Sequence, residues 1–499
     1  MRILKKIAIS LVMLIVVVGA AGYGTFWYMN RTPPQLKEPN YFSYYKNQDT
    51  TPVGKVGIFV TGLIMPEHYR LADFHNLALK PAQYIPWPMR NMAMADRGVL
   101  LLDTEKFYEF KPFKPTNLMD VYGNTIDVDG ESYMEKYEQG EVKWVPPNPN
   151  MHFDHGYFLY SGRQGGMPVQ AQKLATKARI YYYGPGKGLV NGKIPHEAGE
   201  RAIVEGGIAK IKAKYGDVPY RFVTAEDFGE ARRQLRSLLD EGVDTVVMAA
   251  PRPIYSHHEE FNGSIKHTMH YIEEWEHEHN KQIKLIITPQ LGEFPVLKDA
   301  YLTMLRDRLN TLPPDAKVKV LVSIHGMAWD NVPNEAWIAL APPYVDGMID
   351  AAKKVLADEY KFSKVEVVKT QDHFADPHSD PKGKYLSTNR ASWDGVKAKY
   401  DYVINLPIEF FAENTDTLFS HAMFNFEGFP GYDIYQPIDY SDWSVPYTRT
   451  FDIEGTKVIY NGLPVGKYNA PIIEAYAQAI DTVLSKSMKP LNQVAEATK

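Results

Sequence analysis

The sequence predicts an α/β protein built on doubly wound parallel sheets, and two observations support this fold class. Short apolar runs recur along the chain, which is typical of buried parallel strands. Helical segments separate these runs, and strands that alternate with helices form parallel sheets with binding sites at the strand carboxyl ends. The 499 residues, 44% of them hydrophobic and 23% charged, have a globular composition and suffice for about two or three domains.

The predicted strands are Lys55–Gly62, Tyr220–Thr224, Thr245–Ala250, Ile283–Thr288, Val318–Ile324, Val365–Val368 and Tyr402–Leu406. The predicted helices are Ala225–Glu241, Lys298–Leu309, Val345–Glu359 and Pro471–Leu484. Residues 64–219 are rich in Pro, Gly, Tyr and Met and lack this alternation of strands and helices. We therefore interpret them as an insertion.

Composition excludes several classes of site. The formal charge of -5 gives no basic excess to bind a phosphate backbone, so we expect no nucleic-acid partner. The chain has no cysteine, which excludes disulfides, thiolate metal sites and cysteine nucleophiles. Any side-chain ligand of a metal must therefore come from His, Asp, Glu or Tyr.

The N-terminus predicts a membrane anchor within residues 1–30. Basic residues precede an uncharged stretch from Ile7 to Met29, which is long enough to span a ~30 Å hydrocarbon core as a helix. Aromatic residues at 26–28 follow, as in an interfacial belt. The positive flank predicts a single-pass protein whose body lies on the exported, periplasmic side. The alternative is a cleaved signal peptide, with a passable cleavage site at residues 18–20.

Three segments at predicted strand ends carry chemically useful side chains. The first runs from Pro253 to Ser264, after the strand that ends at Ala250. The second contains His325, at the end of an apolar strand. The third, residues 406–418, carries Glu409, Glu413 and Asp416. Each segment alone is a weak signal, because a single His at a strand end is more often structural than catalytic.

Together, in this order, the three segments resemble the ferrochelatase family. The Pro-x-Tyr-Ser and Gly-Ser positions of the first segment match Pro253, Tyr255, Ser256, Gly263 and Ser264. The Ser-x-His-Gly strand end of the family matches Ser323, His325 and Gly326. A third family segment is similar to Pro407, Ile408, Phe410, Glu413, Asn414, Asp416, Thr417 and Leu418. The resemblance covers about Tyr220 to Leu418.

The resemblance implies two Rossmann-like lobes of the chelatase type with a porphyrin cleft between them. It further implies insertion of a divalent metal, Fe²⁺ by default, into protoporphyrin, a lyase reaction of haem biosynthesis that needs no cofactor beyond its substrates. His325 and Asp416 would then be catalytic, with His325 removing pyrrole protons and Asp416 supplying negative charge opposite it. The implied porphyrin contacts are Tyr255, Ser256, Gly263, Ser264 and Phe410, and the implied metal contacts are His325, Asp416 and Glu413.

The chain departs from the family pattern along the usual metal path. Asp416 stands in place of Glu, Asn414 in place of His, and Ser420 and Phe424 in place of carboxylates. These departures favour an alternative function, a non-catalytic exported carrier of a tetrapyrrole or metal. Insertion of cobalt or nickel into a related tetrapyrrole is a further alternative.

Three other groups of His and acidic side chains have a composition that suits metals, and the first is His257, His258, Glu259 and Glu260 inside the first segment. The loop His373–Asp380 could bind zinc, iron or nickel, but an exposed turn is the more frequent explanation of such a loop. A metal-dependent hydrolase built on this loop has no nucleophile motif. His270, Glu274 and His277 share one helix face, which is more simply a solvated surface.

The predicted organisation is therefore an anchor at residues 1–30, a tether at 31–53 and a first lobe at 54–280 that contains the insertion. A second lobe follows at 281–427, and a C-terminal extension with a helix occupies 428–499.

Overall fold

A computed structural model of the chain describes residues 41–62, 142–145, 157–160, 196–224, 228–325, 335–372, 385–412 and 444–493, with shorter groups at 9–23 and 417–442. The helices of these regions are α1 (Tyr41–Asn47), α2 (His196–Tyr215), α3 (Phe228–Asp240), α4 (Lys266–His279), α5 (Leu297–Leu309), α6 (Glu335–Glu359), α7 (Thr388–Lys397) and α8 (Asn469–Leu484). The strands are β1 (Val56–Gly62), β2 (Val142–Val145), β3 (Tyr157–Tyr160), β4 (Tyr220–Thr224), β5 (Thr245–Met248), β6 (Lys284–Ile287), β7 (Lys317–Ile324), β8 (Lys364–Gln371), β9 (Tyr402–Pro407), β10 (Arg449–Ile453) and β11 (Thr456–Tyr460).

The first sheet has the strand order β4-β1-β5-β6, and all of its strand pairs are parallel. Strand β1 is buried along its whole length because it lies inside the sheet and helices cover both faces. The first sheet includes β6, which follows the boundary predicted at residue 280.

Residues 41–53 cover the outer edge of β6. The side-chain amide of Gln48 both accepts a hydrogen bond from the Ile287 N–H (2.8 Å) and donates one to the Ile287 carbonyl (2.9 Å). The Tyr44 hydroxyl donates to the Leu285 carbonyl at 2.6 Å. Because an open strand edge presents unpaired N–H and C=O groups, these side chains complete the edge of the sheet.

The second sheet has the order β10-β11-β9-β7-β8. Strands β8, β7, β9 and β11 are parallel, whereas β10 and β11 form an antiparallel hairpin. Glu454 and Gly455 connect the hairpin with φ angles of 52° and 84°. Positive φ at both central residues is the requirement of a type I′ turn, which Gly meets without strain.

One apolar core joins the two sheets. It contains residues of β1 and β7 together with the buried faces of α2, α5, α6 and α8. A second cluster lies between the other face of the first sheet and helices α1, α3 and α4. The predicted α/β class with parallel sheets is therefore confirmed.

The predicted single-pass, exported localisation is wrong. In the part of the chain that the structure describes, no helix combines the length and the apolar character needed to cross a membrane. Such a crossing needs about 20 predominantly apolar residues in one helix. This finding corrects the single-pass, exported localisation, whereas most of the anchor predicted at residues 1–30 lies outside the described residues.

Candidate active site at the carboxyl ends of the strands

Both sheets reverse their strand order at a comparable place. In the first sheet β1 lies between β4 and β5, and in the second β7 lies between β8 and β9. In doubly wound sheets the ligand crevice forms outside the strand carboxyl ends at such a reversal. Strand β5 leads there to Arg252, β7 to His325 and β9 to Glu409.

His325 directly follows the last residue of β7 and is partly exposed. Its backbone N–H donates a hydrogen bond to the Glu409 carboxylate. The edge of the neighbouring Phe410 ring meets its imidazole, with ring centroids 5.9 Å apart and an interplanar angle of 69°. The ends of β7 and β9 are thus tied together at the predicted base.

The segment that carries Glu409 is fixed on both sides by hydrogen bonds. The Ile408 N–H donates to the Ser323 carbonyl at 3.0 Å. The Tyr344 hydroxyl of α6 donates to the Ile408 carbonyl at 2.7 Å, and the Tyr301 hydroxyl of α5 donates to the Phe410 carbonyl at 2.9 Å. Because both tyrosines are buried, this segment is held by the core.

The electrostatics of Glu409 show which groups face it. Burial raises the pKa of the Glu409 carboxyl well above its usual value. The His325 N–H opposes this rise, the negative charges of Glu260 and Asp372 add to it, and Arg252 opposes it. Because Arg252 and Glu260 belong to the segment that follows β5, that segment lies within electrostatic range of the end of β9.

Arg252 is a buried cation of this region. Its Nη1 lies 3.3 Å from Oε1 of Glu200 in α2, and its Nε lies 3.5 Å from Oε1 of Glu260. The exposed fraction of each of these three side chains is 5% or less. The other Glu260 oxygen accepts the Ser256 N–H at 2.6 Å, which secures the start of the 257–265 π-helix.

A buried polar network lies beneath His325. Oδ1 of Asp372, just after β8, accepts hydrogen bonds from the Thr388 hydroxyl (2.6 Å) and the Asn425 amide (3.1 Å), with the Asn405 amide at 3.5 Å. The Ser323 hydroxyl of β7 donates to Oδ1 of Asn405 at 2.9 Å. This network links the carboxyl ends of β7, β8 and β9.

The residues predicted to contact a porphyrin differ in their surroundings. Tyr255 is buried, with its hydroxyl 3.1 Å from that of Thr288, and burial raises its pKa. Gly263 forms a kink inside the π-helix (φ -111°, ψ -107°), and the Ser264 carbonyl accepts the Thr268 hydroxyl at 2.7 Å. Phe410 is partly exposed beside His325. Their roles in binding, like that of Ser256, stay predictions.

Several predicted residues lie outside the part of the chain that the structure describes. They are Asp416, Glu413, Asn414, Ser420, Phe424 and the loop His373–Asp380. Among the residues that are described, no three His, Asp or Glu side chains are arranged to hold a metal ion. On α4, His270 is exposed, and Glu274 accepts a hydrogen bond from Arg232 at 2.9 Å.

The sequence reasoning assigned no role to Arg252 or Asp372, and it named Glu260 and Glu409 only as acidic members of their segments. Asp372 and Glu409 follow the ends of strands β8 and β9 as closely as His325 follows β7, and this position was the available signal. The contact of Arg252 with Glu200 joins two separate segments of the chain, and no local spacing predicts it.

Comparison with known proteins gives structural similarities only. No protein-family model matches the sequence, and no curated protein does. One similar structure is the crystal structure of the sirohydrochlorin chelatase SirB from Bacillus subtilis subspecies spizizenii in complex with cobalt, at 9% identity and a TM-score of 0.31, covering 58% of this chain and 90% of that chain. Another is SirB from Bacillus subtilis with Fe³⁺, at 10% identity and a TM-score of 0.31, covering 58% of this chain and 92% of that one.

Proposed function

We propose that this protein inserts a divalent metal into a tetrapyrrole, in a cleft between the carboxyl ends of its two sheets. The observation that carries the proposal is the joining of His325, Glu409 and Phe410 at the strand-order reversal of the second sheet. The segment from Arg252 to Glu260, which follows β5 of the first sheet, lies within electrostatic range of Glu409. The order of the ferrochelatase-like segments along the chain supports the same function.

His325 is the base of the proposed reaction. Metal insertion replaces two pyrrole N–H protons with one divalent cation, so a nearby group must accept protons as the metal enters. A neutral imidazole, with a reference pKa of about 6.5, suits this task at neutral pH. In the proposal the partly exposed His325 ring takes one proton from the macrocycle and releases it to solvent. The ring then takes the second proton, and releases it in the same way, as the metal binds the pyrrole nitrogens.

The remaining roles follow the resemblance. Asp416 supplies a negative charge opposite His325, Glu413 and Asp416 contact the metal, and Phe410 forms a wall of the cleft. Ser256, Gly263 and Ser264 belong to the facing loop, where backbone groups contact the tetrapyrrole. The metal in this proposal is iron, cobalt or nickel, taken up as a substrate, and the tetrapyrrole is protoporphyrin or a relative of it.

A carrier that binds a tetrapyrrole without metallating it is the second candidate function. The departures at Asp416, Asn414, Ser420 and Phe424 from the family's metal path favour it. In a carrier, His325 and the residues beside it would bind the macrocycle without removing its pyrrole protons.

Absorbance spectra of the purified full-length chain distinguish these functions. Protoporphyrin and sirohydrochlorin would each be incubated with Fe²⁺, Co²⁺ or Ni²⁺ under anaerobic conditions. A chelatase should produce the metallated spectrum faster than a protein-free control with at least one cation. A carrier should only shift the Soret band. If no pair of metal and tetrapyrrole gave either response, both functions would be contradicted.

A further inference from the structure

Tyr344 of α6 packs directly against the backbone of Gly292, in the segment that follows β6. A Cβ at Gly292 would lie 2.8 Å from Cγ and 3.0 Å from Cβ of Tyr344, and 2.5 Å from the carbonyl oxygen of Pro253. The Gly292 N–H donates to that carbonyl at 2.9 Å. Because only glycine lets a backbone approach its neighbours so closely, Tyr344, Gly292 and Pro253 form one continuous contact.

Gln290 joins the same part of the first lobe to the same helix. Its side-chain oxygen accepts the Tyr255 N–H at 3.0 Å, and its amide nitrogen donates to the Leu340 carbonyl at 3.0 Å. Leu340 lies about one helical turn before Tyr344 in α6. Residues 253–256, which we call the first wall of the proposed cleft, are therefore fixed to one turn of α6.

The hydroxyl end of Tyr344 contacts residues 408–410, which we call the second wall of the proposed cleft. It donates to the Ile408 carbonyl at 2.7 Å, next to Glu409, whose carboxylate accepts the His325 N–H. The whole Tyr344 side chain is buried. Because an aromatic ring is rigid from Cγ to the hydroxyl, a buried tyrosine that contacts both walls acts as a spacer of fixed length.

We propose that Tyr344 is a positioning residue that sets the separation between the two walls and thereby places His325 relative to the tetrapyrrole. This inference rests on the proposed function. Tyr344 acts through the two walls, and His325 removes the protons. A displacement of about 1 Å can lower a rate by on the order of a hundredfold, so the spacing of the walls matters for proton removal.

A double-mutant cycle on the full-length chain without substrates tests the link between the walls, with hydrogen exchange of the His325 N–H as the readout. Tyr344→Phe keeps the ring and removes the hydroxyl that holds Ile408, whereas Gly292→Ala adds a methyl group at the first wall. Each should speed this exchange by on the order of tenfold. The double variant should exchange no faster than the faster single variant, because Gly292 acts on His325 through the Tyr344 hydroxyl.

Tyr344→Leu is a further variant, which also removes the rigid ring. It should speed exchange at both walls, at the Tyr255 N–H as well as at the His325 N–H. Tyr44→Phe is the matched control, because it removes a tyrosine hydroxyl that donates to the Leu285 carbonyl at 2.6 Å on the outer edge of β6. It should leave the exchange of the His325 N–H unchanged.

The insertion assay separates positioning from a purely structural role. Tyr344→Phe should lower kcat for Co²⁺ insertion into protoporphyrin by on the order of tenfold and leave the porphyrin Kd, measured from the Soret shift, within about threefold of wild type. A residue that only stabilised the fold would lower Tm and change neither kcat nor Kd.

Each outcome decides the inference. Unchanged His325 exchange in folded Tyr344→Phe overturns it, as do additive effects in the double variant or an equal effect of Tyr44→Phe. If Gly292→Ala does not fold, unchanged Tyr255 exchange in Tyr344→Leu overturns it. Unfolding of Tyr344→Phe also overturns it, because the role would then be structural.

The two measurements also distinguish this inference from the proposed function. If the exchange pattern is as expected but the wild type metallates no tetrapyrrole, the proposed function fails and the link between the walls stands. If insertion proceeds and Tyr344→Phe changes neither the His325 exchange nor kcat, the reverse holds.

Discussion

Arg252 is a buried cation between two buried carboxylates, and its ion pairs differ in expected strength from those on the surface. Each of its two carboxylate partners is 5% exposed or less. Removal of one member of a buried charge group leaves the opposite charge in a low-dielectric site. We therefore expect Arg252 to hold the segment that follows β5 in its position near the end of β9.

Arg252→Met should destabilise the protein by about 3–5 kcal/mol, because it removes the cation that faces Glu200 and Glu260. Arg306→Met is the matched control. Arg306 contacts Glu359 through two hydrogen bonds of 2.6 and 2.7 Å, but the two side chains are 37% and 41% exposed, so about 1 kcal/mol or less should be lost. Urea unfolding of the three proteins measures both values, and equal losses for the two variants would contradict the assignment.

Glu409→Gln should make the protein more stable than the wild type at neutral pH. Burial raises the pKa of Glu409, so its contribution to stability is complete below the unfolded pKa of about 4.3. That contribution is lost as pH rises through the folded value. Glutamine keeps an oxygen for the His325 N–H and carries no charge. The Tm difference between variant and wild type should therefore grow from pH 4.5 to pH 8.

Glu359→Gln provides a control of opposite sign. Its hydrogen bond with Arg306 lowers the pKa of Glu359, so the carboxylate stabilises the fold above its unfolded pKa and this effect is lost as pH falls. The Tm of Glu359→Gln relative to wild type should thus not rise with pH. A Glu409→Gln difference that stays flat across the range would contradict the burial of that carboxyl.

At the scale of elements, α2 and α8 pack closely where two adjacent glycines of α2 face side chains of α8. A Cβ at Gly207 would lie 2.4 Å from Cδ1 of Tyr476, and one at Gly206 would lie 2.8 Å from Cδ1 of Ile473. The Tyr476 ring is fully buried and its hydroxyl donates to the Ala249 carbonyl at 3.2 Å, whereas Ile473 is only partly buried. The tyrosine therefore has less room to move.

Gly207→Ala should cost about 1–3 kcal/mol from overpacking, despite the higher helix propensity of alanine. Gly206→Ala should change stability by less than about 1 kcal/mol, because the terminal methyl of Ile473 can rotate away. Thermal unfolding of both variants checks the order, and a Gly206→Ala loss as large as that of Gly207→Ala would argue against this packing.

Elements with a continuous apolar pattern could be predicted from the sequence, and others could not. The boundaries of β4 were predicted without error, and those of β1, β7 and α5 within one residue. Helix α2 was missed, because two adjacent glycines interrupt its apolar periodicity. Helix α6 was predicted only from Val345, because Pro342 and Pro343 precede that residue inside the helix. The β10–β11 hairpin was missed in a segment rich in Tyr, Pro and Gly.

At the scale of the whole molecule, His325 could be predicted as a site residue because the signal is local. An apolar run predicts strand β7, and His325 directly follows it. The groups around it come from distant segments, since Glu409 is influenced by Glu260 of the other lobe and by Asp372 of the neighbouring strand. Such contacts depend on how the sheets pack, which local sequence patterns do not encode. The account's central claim is that these facing strand ends form one reaction cleft with His325 as its base.

The most direct test of that claim is the initial rate of Co²⁺ insertion into protoporphyrin by the wild type and by His325→Ala. The Soret shift of porphyrin added without metal is measured alongside, as a test of binding. The wild type should exceed the protein-free rate. His325→Ala should retain the Soret shift and insert metal on the order of a hundredfold more slowly. An unchanged rate in folded His325→Ala, or a wild type that shifts the Soret band without forming metalloporphyrin, would contradict the claim.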